Sequence, residues 1–402
     1  MDRVVVVGAS LAGMRAAETL RAEGFANTLT VVGDEARAPY DRPPLSKQVL
    51  TGQWDADRIA LPSGAKPELE ITWERGIAAS GLDLAAGHVA LADGRTVPFD
   101  GLVIATGAAA RWIPGTQGVP GVFTLRTLDD ALAIGAALDA GAKRVVVVGA
   151  GFIGAEVAAS CRARGVAVTL VEPLPQPLSR VLGDVIGRVV AEVHVEHGVD
   201  LRLGVGVEAI ESGAHGVERV RLSDGSVIDA DLVVVGIGVI PNTGWLEGSG
   251  ITLDDGVLCD ESTLAAPGVV AAGDVARWPN PLFGEVMRVE HWEHAIDMGA
   301  HAARRLLAWA ASPSDPAVDL AYGPVPWFWS DQYDRKLQLA GRARPDDELA
   351  VVAGSIEDRR FTALYGRNGR VVGAFAMNMP ARVVKYRQAI AAGLTWDEAL
   401  QG

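Results

Sequence analysis

The stretch Arg3-Val-Val-Val-Val-Gly8-Ala-Ser10-Leu11-Ala12-Gly13 opens the chain, and Arg144-Val-Val-Val-Val-Gly149-Ala-Gly151-Phe152-Ile153-Gly154 repeats its pattern 141 residues later. Each begins with four valines, a run too short and too β-branched for a helix, which predicts a buried strand. A glycine turn and an alanine-rich helical stretch follow, over 14–22 and 155–164. A second apolar strand then ends in an acid, Asp34 or Glu172. The chain therefore predicts a βαβ unit twice, and hence two doubly wound parallel sheets.

Glycine turns in this context can bind the pyrophosphate of a dinucleotide. Backbone N–H groups and the helix N-terminus approach the phosphates at such a turn, and the acid accepts a hydrogen bond from a ribose hydroxyl. Asp34 lies 21 residues after Gly13, and Glu172 lies 18 residues after Gly154. One such motif could be a tight turn that binds no ligand. Two motifs with the same context and an acid at a similar distance are harder to explain in that way. We therefore predict two dinucleotides, FAD and a nicotinamide nucleotide.

The composition is that of a globular protein with roughly two to four domains. The 402 residues carry a net charge of −14, which argues against binding to nucleic acid because phosphates require a positive field. Apolar runs such as 4–7 and 145–148 are far shorter than the roughly 20 residues of a membrane-spanning helix. A strand that begins at residue 3 leaves no room for a signal peptide. We expect a cytoplasmic protein that binds neither membrane nor nucleic acid.

The remaining chain predicts the order of the domains. Residues 76–100 and 198–235 alternate apolar and polar positions, which predicts antiparallel hairpins or meanders. After Ala311 comes a linker-like Ser-Pro-Ser-Asp-Pro stretch, and beyond it short strands and a helix at about 381–392 predict a small separate α+β domain. We expect an FAD-binding domain over 1–110 and 239–320, an NAD-binding domain over 111–238 and a C-terminal α+β interface domain over 321–402.

Several motifs occur in a characteristic order along the whole chain. The most specific are Arg42-Pro-Pro-Leu-Ser-Lys47 and Trp327-Phe-Trp329-Ser-Asp-Gln-Tyr333. The others are the two glycine turns, Val32-Gly-Asp34-Glu35, Ala105-Thr106-Gly107, Leu125-Arg126-Thr127, Gly236-Ile-Gly238-Val-Ile-Pro-Asn242 and Ala272-Gly273-Asp274. In this order the chain resembles the FAD-dependent pyridine nucleotide-disulfide oxidoreductases. Within that superfamily it is similar to the ferredoxin and rubredoxin reductase branch, which includes putidaredoxin reductases and the reductases of ring-hydroxylating dioxygenases.

The resemblance implies a set of cofactor-binding residues. Asp34 would hold the adenosine ribose of FAD, and Asp274 would bind its ribityl chain. The other residues expected at FAD are Gly8, Ser10, Leu11, Ala12, Gly13, Arg42, Lys47, Ala79, Ala105, Thr106, Gly107, Arg126, Gly273 and Trp292. Those expected at the nicotinamide nucleotide are Gly149, Gly151, Phe152, Ile153, Gly154, Glu156, Glu172, Arg180, Gly236 and Gly238.

One acidic and one basic side chain affect the expected preference between NADH and NADPH. The carboxylate of Glu172 would accept a hydrogen bond from a free ribose 2′-hydroxyl and would repel a 2′-phosphate. Arg180 lies nearby in the sequence and weakens that preference. We expect NADH to be the preferred substrate.

Three residues are candidates for a catalytic role. From spacing alone, Lys47 is most simply a solvated lysine, and Glu156 an acid that the helix dipole favours. The resemblance implies instead that the two lie together beside flavin and nicotinamide, where they act through position and electrostatics. It also implies that Trp327 and Trp329 lie at the outer edge of the flavin, with Trp329 as a candidate for the electron exit. A role in the core or at a domain junction remains an alternative for both tryptophans.

Cysteine and histidine usage excludes other chemistries. Cys161 and Cys259 are the only cysteines, and neither lies in 41–47, where the resemblance implies the redox cysteine of disulfide reductases and thiol peroxidases. Electrons must then leave the flavin directly for an external acceptor. His291-x-x-His294, with Glu290 and Glu293 beside it, has no obvious third ligand for a tetrahedral metal site. We expect no metal.

The resemblance therefore implies an NADH-dependent ferredoxin reductase. A hydride would pass from NADH to FAD, and single electrons would pass to a small acidic iron–sulfur ferredoxin that serves a haem monooxygenase or a ring-hydroxylating dioxygenase. Basic residues would face that partner, although a solvated helix face explains them equally well: Arg335, Lys336, Arg382, Lys385 and Arg387. Alternatives are an NADH oxidase, a quinone or dye reductase, and an interaction protein like apoptosis-inducing factor, switched by flavin reduction.

Overall fold

The computed structural model describes residues 1–214, 216–313 and 320–401. Residues 314–316 of the predicted linker lie outside this described part. The chain forms two compact units, each assembled from separate segments. The first unit comprises Met1–Asp41, Ala60–Ala109 and Ile240–Pro326, and the second comprises Arg42–Ile59, Ala110–Val239 and the chain from Trp327 onward.

The described residues form more strands than helices. In chain order they are β1 (Arg3–Val7), α1 (Leu11–Ala22), β2 (Thr28–Gly33), β3 (Ile71–Arg75), β4 (Ala79–Asp83), β5 (His88–Leu91), β6 (Thr96–Pro98), β7 (Gly101–Ile104), β8 (Ala108–Ala110), β9 (Val122–Thr124), α2 (Leu128–Asp139), β10 (Arg144–Val148), α3 (Phe152–Ala163), β11 (Ala167–Glu172), α4 (Ser179–Glu196), β12 (Asp200–Leu203), β13 (Val207–Gly213), β14 (Gly216–Leu222), β15 (Val227–Asp229), β16 (Leu232–Val235), β17 (Val239–Pro241), β18 (Val257–Leu258), β19 (Leu264–Ala266), β20 (Val269–Ala271), β21 (Ala276–Asn280), β22 (Glu285–Arg288), α5 (Trp292–Ala311), β23 (Trp327–Gln332), β24 (Arg335–Gly341), β25 (Glu348–Ser355), β26 (Arg360–Arg367), β27 (Arg370–Met377), α6 (Pro380–Ala391) and α7 (Trp396–Gln401).

The core of the first unit is a six-stranded sheet in the order β19-β20-β7-β1-β2-β3. Its strands are parallel except for β19, which runs antiparallel to β20. The valines of β1 lie at its centre and are buried, which explains why this strand is a continuous apolar run. Met14 of α1 and Met298 of α5 belong to the same hydrophobic core.

The second unit contains a five-stranded parallel sheet in the order β12-β11-β10-β16-β9. Its C-terminal segment forms a five-stranded antiparallel sheet in the order β23-β24-β27-β26-β25, followed by α6 and α7. This antiparallel sheet packs against α4, where Leu182 and Ile186 share a core with Phe361 and Phe375. The hydroxyl of Tyr365 fixes the contact by donating to the carbonyl of Leu182 at 2.8 Å.

The predicted fold class is confirmed: two parallel Rossmann-like sheets and a small C-terminal α+β domain. The helices after the glycine turns begin earlier than the sequence predicted, at Leu11 and Phe152 directly beyond each turn. In the described part of the chain, no helix has the length and apolar character needed to cross a membrane.

Candidate active site

The first glycine turn, in the first unit, leaves no space for side chains. Gly8 has φ +119°, and a Cβ built there would lie 2.0 Å from the carbonyl oxygen of Ala105. A Cβ on Gly13 would lie 1.8 Å from the carbonyl oxygen of Gly8. Ser10 adopts an extended conformation before α1, and its side chain makes no capping hydrogen bond in the described structure. The first N–H groups of α1 can therefore bind an anion.

The second glycine turn, in the second unit, has the same geometry. Gly149 has φ +98°, and a Cβ there would lie 2.4 Å from the carbonyl oxygen of Gly236. A Cβ on Gly154 would lie 2.0 Å from the carbonyl oxygen of Gly149. Gly151 precedes α3, and a Cβ built on it meets open space. Both turns thus fit the pyrophosphate of a dinucleotide.

The two acids that follow the turns differ in their surroundings. Asp34 is exposed directly after β2. Glu172 is buried at the end of β11, where Oε2 accepts from the N–H of Ala150 at 2.8 Å and Oε1 from the N–H of Leu174 at 3.0 Å. Each oxygen keeps a lone pair for a ribose hydroxyl. Glu172 therefore also fixes the glycine turn, a role that the sequence did not indicate. Arg180, the other residue expected to affect the choice of nucleotide, is exposed near the start of α4.

The first unit brings several predicted residues around its glycine turn. A Cβ on Gly273, whose φ is +74°, would lie 2.9 Å from the Cβ of Ala12, so the Gly273-Asp274 turn sits directly against α1. Thr106 donates to the carbonyl of Asn242 at 2.8 Å, and the amide of Asn242 donates back to the carbonyl of Thr106 at 2.9 Å. The remaining predicted residues of this unit include buried Ala105, Leu11 at the start of α1, Gly107 with φ +64°, Ala79 at the start of β4, and Trp292, which donates to Asp41 at 2.9 Å.

The second unit brings Lys47 and Glu156 together in a largely buried ion pair. Lys47 lies on a π-helical turn, Leu45–Val49, where the sequence predicted a helix start, and Glu156 lies in the second turn of α3. The ammonium group donates to Oε2 of Glu156 at 2.6 Å, and the two side chains are 13% and 3% exposed. Ser46 also donates to Oε2, at 2.5 Å. Arg42 and Arg126 belong to this unit too, and Arg42 donates to the carbonyl of Arg126 at 2.7 Å.

Other predicted residues of the second unit lie on its loops and on β23. Gly236 and Gly238 follow β16, and the N–H of Arg111 donates to the carbonyl of Gly238 at 2.9 Å. Phe152 begins α3, and Ile153 beside it is 47% exposed. Trp327 and Trp329 are half-buried on one face of β23, with ring centroids 5.5 Å apart.

Sequence reasoning missed Ser330 as a functional candidate. Its hydroxyl donates to Oε1 of Glu156 at 2.7 Å, and its side chain has no exposed surface. The only signal was a serine and a glutamine at alternating positions after three aromatic residues, in the motif from Trp327 to Tyr333. Ser46 was likewise quoted only as part of a motif.

The cysteines and the histidine pair do not form reactive clusters in the described structure. Cys161 and Cys259 are buried and free, and burial raises the pKa of each thiol to about 12. The ring of His294 is buried and stacks on Trp278 with centroids 4.8 Å apart. Burial lowers the pKa of His294 to about 4, which the charge of Asp274 opposes. Within the described residues, no group of three or more potential ligands could hold a metal ion.

The basic residues predicted to face a partner are partly neutralised by their neighbours. Lys336 pairs with Asp331 at 2.7 Å, and Arg335 pairs with Asp334 at 2.5 Å. Arg382, Lys385 and Arg387 lie on α6, where Lys385 is exposed and lies 5.9 Å from the ring centroid of Tyr386.

Comparisons with known proteins identify the family. The family model of pyridine nucleotide-disulphide oxidoreductases matches residues 2–299, and the model of reductase C-terminal domains matches residues 327–401. The chain belongs to the pyridine nucleotide-disulphide oxidoreductase family. Membership of this family implies FAD and NAD(H).

Relatives and solved structures are similar to this oxidoreductase over almost its whole length. Rhodocoxin reductase of Rhodococcus erythropolis is 37% identical, over 96% of this chain and 89% of its own. The ferredoxin–NAD(+) reductase component of the anthranilate 1,2-dioxygenase system of Burkholderia cepacia is 37% identical, over 98% and 96%. Putidaredoxin reductase, in the crystal structure of its covalent complex with putidaredoxin, is 33% identical with a TM-score of 0.90, over 97% and 93%.

Proposed function

We propose that this oxidoreductase is an NADH-dependent, FAD-containing ferredoxin reductase that passes electrons to a small acidic iron–sulfur ferredoxin. The observation that carries the proposal is the combination of two like glycine turns with two cysteines that are both buried. Two dinucleotides can bind, and neither thiol is positioned to react, so electrons must leave for an external acceptor. Full-length similarity to a ferredoxin–NAD(+) reductase supports this acceptor.

The chain's own residues would bind and orient the two dinucleotides. When bound, FAD supplies the conversion of a two-electron hydride into single electrons. We assign the pyrophosphate of FAD to Gly8–Gly13 and that of NADH to Gly149–Gly154, in domains with the boundaries expected from the sequence. Glu172 would accept a hydrogen bond from the free 2′-hydroxyl of NADH, and its negative charge would disfavour a 2′-phosphate.

Lys47 and Glu156 would supply the electrostatics of hydride transfer. A fixed ammonium group lowers the energy of negative charge that develops near it, most strongly where water is excluded. The carboxylate of Glu156, 2.6 Å away, holds that ammonium group in place. We assign the exit path of the electrons to Trp329, whose half-buried indole faces away from Glu156 on β23.

The partner is proposed from what the relatives' names state. One relative is a component of a dioxygenase system, and one solved structure holds a reductase covalently bound to putidaredoxin. We propose that the electrons reach a haem monooxygenase or a ring-hydroxylating dioxygenase indirectly, through the ferredoxin. Arg382, Lys385 and Arg387 of α6 would attract an acidic ferredoxin. We propose that this activity takes place in the cytoplasm, where it would draw on NADH and ferredoxin.

Anaerobic reduction followed by reoxidation tests this proposal against its alternatives. The flavoprotein is reduced with one equivalent of NADH and then mixed with oxygen, a quinone or an oxidised two-iron ferredoxin. We expect fast flavin reduction and the fastest reoxidation with ferredoxin. Faster reoxidation by oxygen or quinone would instead assign an oxidase or quinone reductase, and slow reoxidation by all three would assign a redox-switched interaction protein.

A further inference from the structure

A buried polar chain connects the C-terminal sheet to the Lys47–Glu156 pair. Gln332 Nε2 donates to the hydroxyl oxygen of Ser330 at 3.2 Å, and that hydroxyl donates to Oε1 of Glu156 at 2.7 Å. The side chains of Ser330 and Gln332 have no exposed surface. The hydroxyl group of Ser330 carries a single proton. Because the hydroxyl oxygen already accepts a hydrogen bond from Gln332, that proton points to the carboxylate of Glu156.

The backbone geometry of β23 holds this chain in place against α3. Alternate residues of a strand share a face, so Phe328, Ser330 and Gln332 point the same way. Phe328 packs edge-on against Phe152, with ring centroids 4.5 Å apart and planes at 68°. Phe152 and Glu156 are four residues apart on α3 and therefore lie on one helix face. The strand thus contacts that face twice, once through an aromatic pair and once through a hydrogen bond.

The carboxylate of Glu156 depends on these contacts because it is buried. Its Oε2 accepts hydrogen bonds from Lys47 and Ser46, and its Oε1 accepts one from Ser330. Ser160, one turn further along α3, donates to the carbonyl of Ser46 at 2.6 Å and ties the lysine-bearing turn to the same helix. A buried charged acceptor that loses a donor pays the full cost of its desolvation. Without the hydrogen bond from Ser330, the carboxylate group can rotate so that Oε1 approaches Lys47 and Ser46, the remaining donors.

We propose that Ser330 is a positioning residue that fixes the carboxylate plane of Glu156, so that Oε2 stays aimed at Lys47. Ser330 acts through Glu156 and touches neither dinucleotide in this assignment. The inference rests on the proposed function for its effect on flavin reduction. Its geometric part, the ordering of Lys47 by Ser330, is independent of that function.

The first test measures flavin reduction by NADH in single-turnover experiments at neutral pH, over a range of NADH concentrations. Ser330→Ala should slow reduction about fivefold at neutral pH, in line with the loss of one hydrogen bond to a charged acceptor. The affinity for NADH should change less than about twofold. In a Glu156→Gln background, the same serine substitution should have little further effect.

The second test measures how fast acetic anhydride labels Lys47 in the FAD-loaded protein, by mass spectrometry of its peptide. Ser330→Ala should raise the labelling rate about fivefold, in line with the weakened pair. Exposed Lys143, on the loop before β10, serves as the internal reference and should label at an unchanged rate. Thr362→Val is the matched control, because it removes a fully buried hydroxyl from β26 of the same sheet without touching the network.

The outcomes separate the inference from the proposed function. Equal labelling of Lys47 in wild type and variant, or an unchanged rate of flavin reduction, would overturn the positioning role of Ser330. A wild-type flavin that NADH does not reduce would overturn the proposed function, and with it the link from Ser330 to hydride transfer. If Ser330→Ala does not fold, Ser330→Cys tests the same point, because a thiol fills the space and donates only weakly.

Discussion

Substituting the last glycine of each turn should remove the two dinucleotides one at a time. A Cβ added to Gly13 would lie 1.8 Å from the carbonyl oxygen of Gly8, and one added to Gly154 would lie 2.0 Å from that of Gly149. Ordinary contacts begin near 3.4 Å, so the start of either helix must move by more than 1 Å. A shift of that size breaks one or two hydrogen bonds from backbone N–H groups to a charged phosphate, about 3 kcal/mol.

This free energy corresponds to a loss of about a hundredfold in affinity. We expect Gly13→Ala to be purified with little flavin, and Gly154→Ala to retain flavin but to bind NADH about a hundredfold more weakly. The assays are flavin content by absorbance and a titration of flavin reduction against NADH. Gly135→Ala in α2 is the matched control, because its Cβ meets open space and should leave both affinities unchanged.

The reasoning would be refuted if Gly154→Ala lost FAD while Gly13→Ala kept it, since the two turns would then hold the opposite dinucleotides. It would also be refuted if both variants kept wild-type affinities. Thermal unfolding of each variant distinguishes a local effect at the turn from a general loss of stability.

Two further predictions concern single acids and bases. Glu172→Ala should lower the preference for NADH over NADPH, measured as the ratio of kcat/KM values, by about tenfold, through loss of the hydrogen bond to the ribose and of the repulsion of a 2′-phosphate; an unchanged ratio would count against this assignment. The ring of His194 is buried against Tyr333, and burial lowers its pKa from 6.5 to about 4. As the pH falls, His194 is protonated in the unfolded chain at a higher pH than in the folded chain. The free energy of unfolding should therefore be highest above pH 6.5 and decline as the pH falls toward 4, by roughly 2 kcal/mol at about pH 5. His194→Gln should remove that part of the acid sensitivity in urea unfolding, and an equal slope in both proteins would show that other groups cause it.

Local sequence patterns predicted the parts of the fold that neighbouring residues determine. A run such as Val4–Val7 must be buried on both faces, and a glycine at position 8 or 149 is needed where φ is positive, so strand, turn and helix follow from short windows. The motif from Arg42 to Lys47 predicted a helical start, and the structure has a π-helical turn there.

Long-range contacts left no comparable signal. Ser330 meets Glu156 across 174 residues of sequence, and Tyr365 meets Leu182 across 183. No periodicity marks such pairs, because each belongs to a different element that tertiary packing brings together. The same holds for Glu172, whose hydrogen bond to the N–H of Ala150 depends on the exact approach of β11 to the glycine turn.

The transfer of electrons to a ferredoxin is best tested by NADH-driven reduction of cytochrome c by the purified flavoprotein, with and without small iron–sulfur ferredoxins. Two-iron and three-iron ferredoxins are each titrated at saturating NADH. We expect a large stimulation that saturates with one of them and weakens as salt screens the attraction between α6 and the acidic partner. An absence of stimulation by any ferredoxin, together with fast turnover on oxygen or quinone, would contradict it.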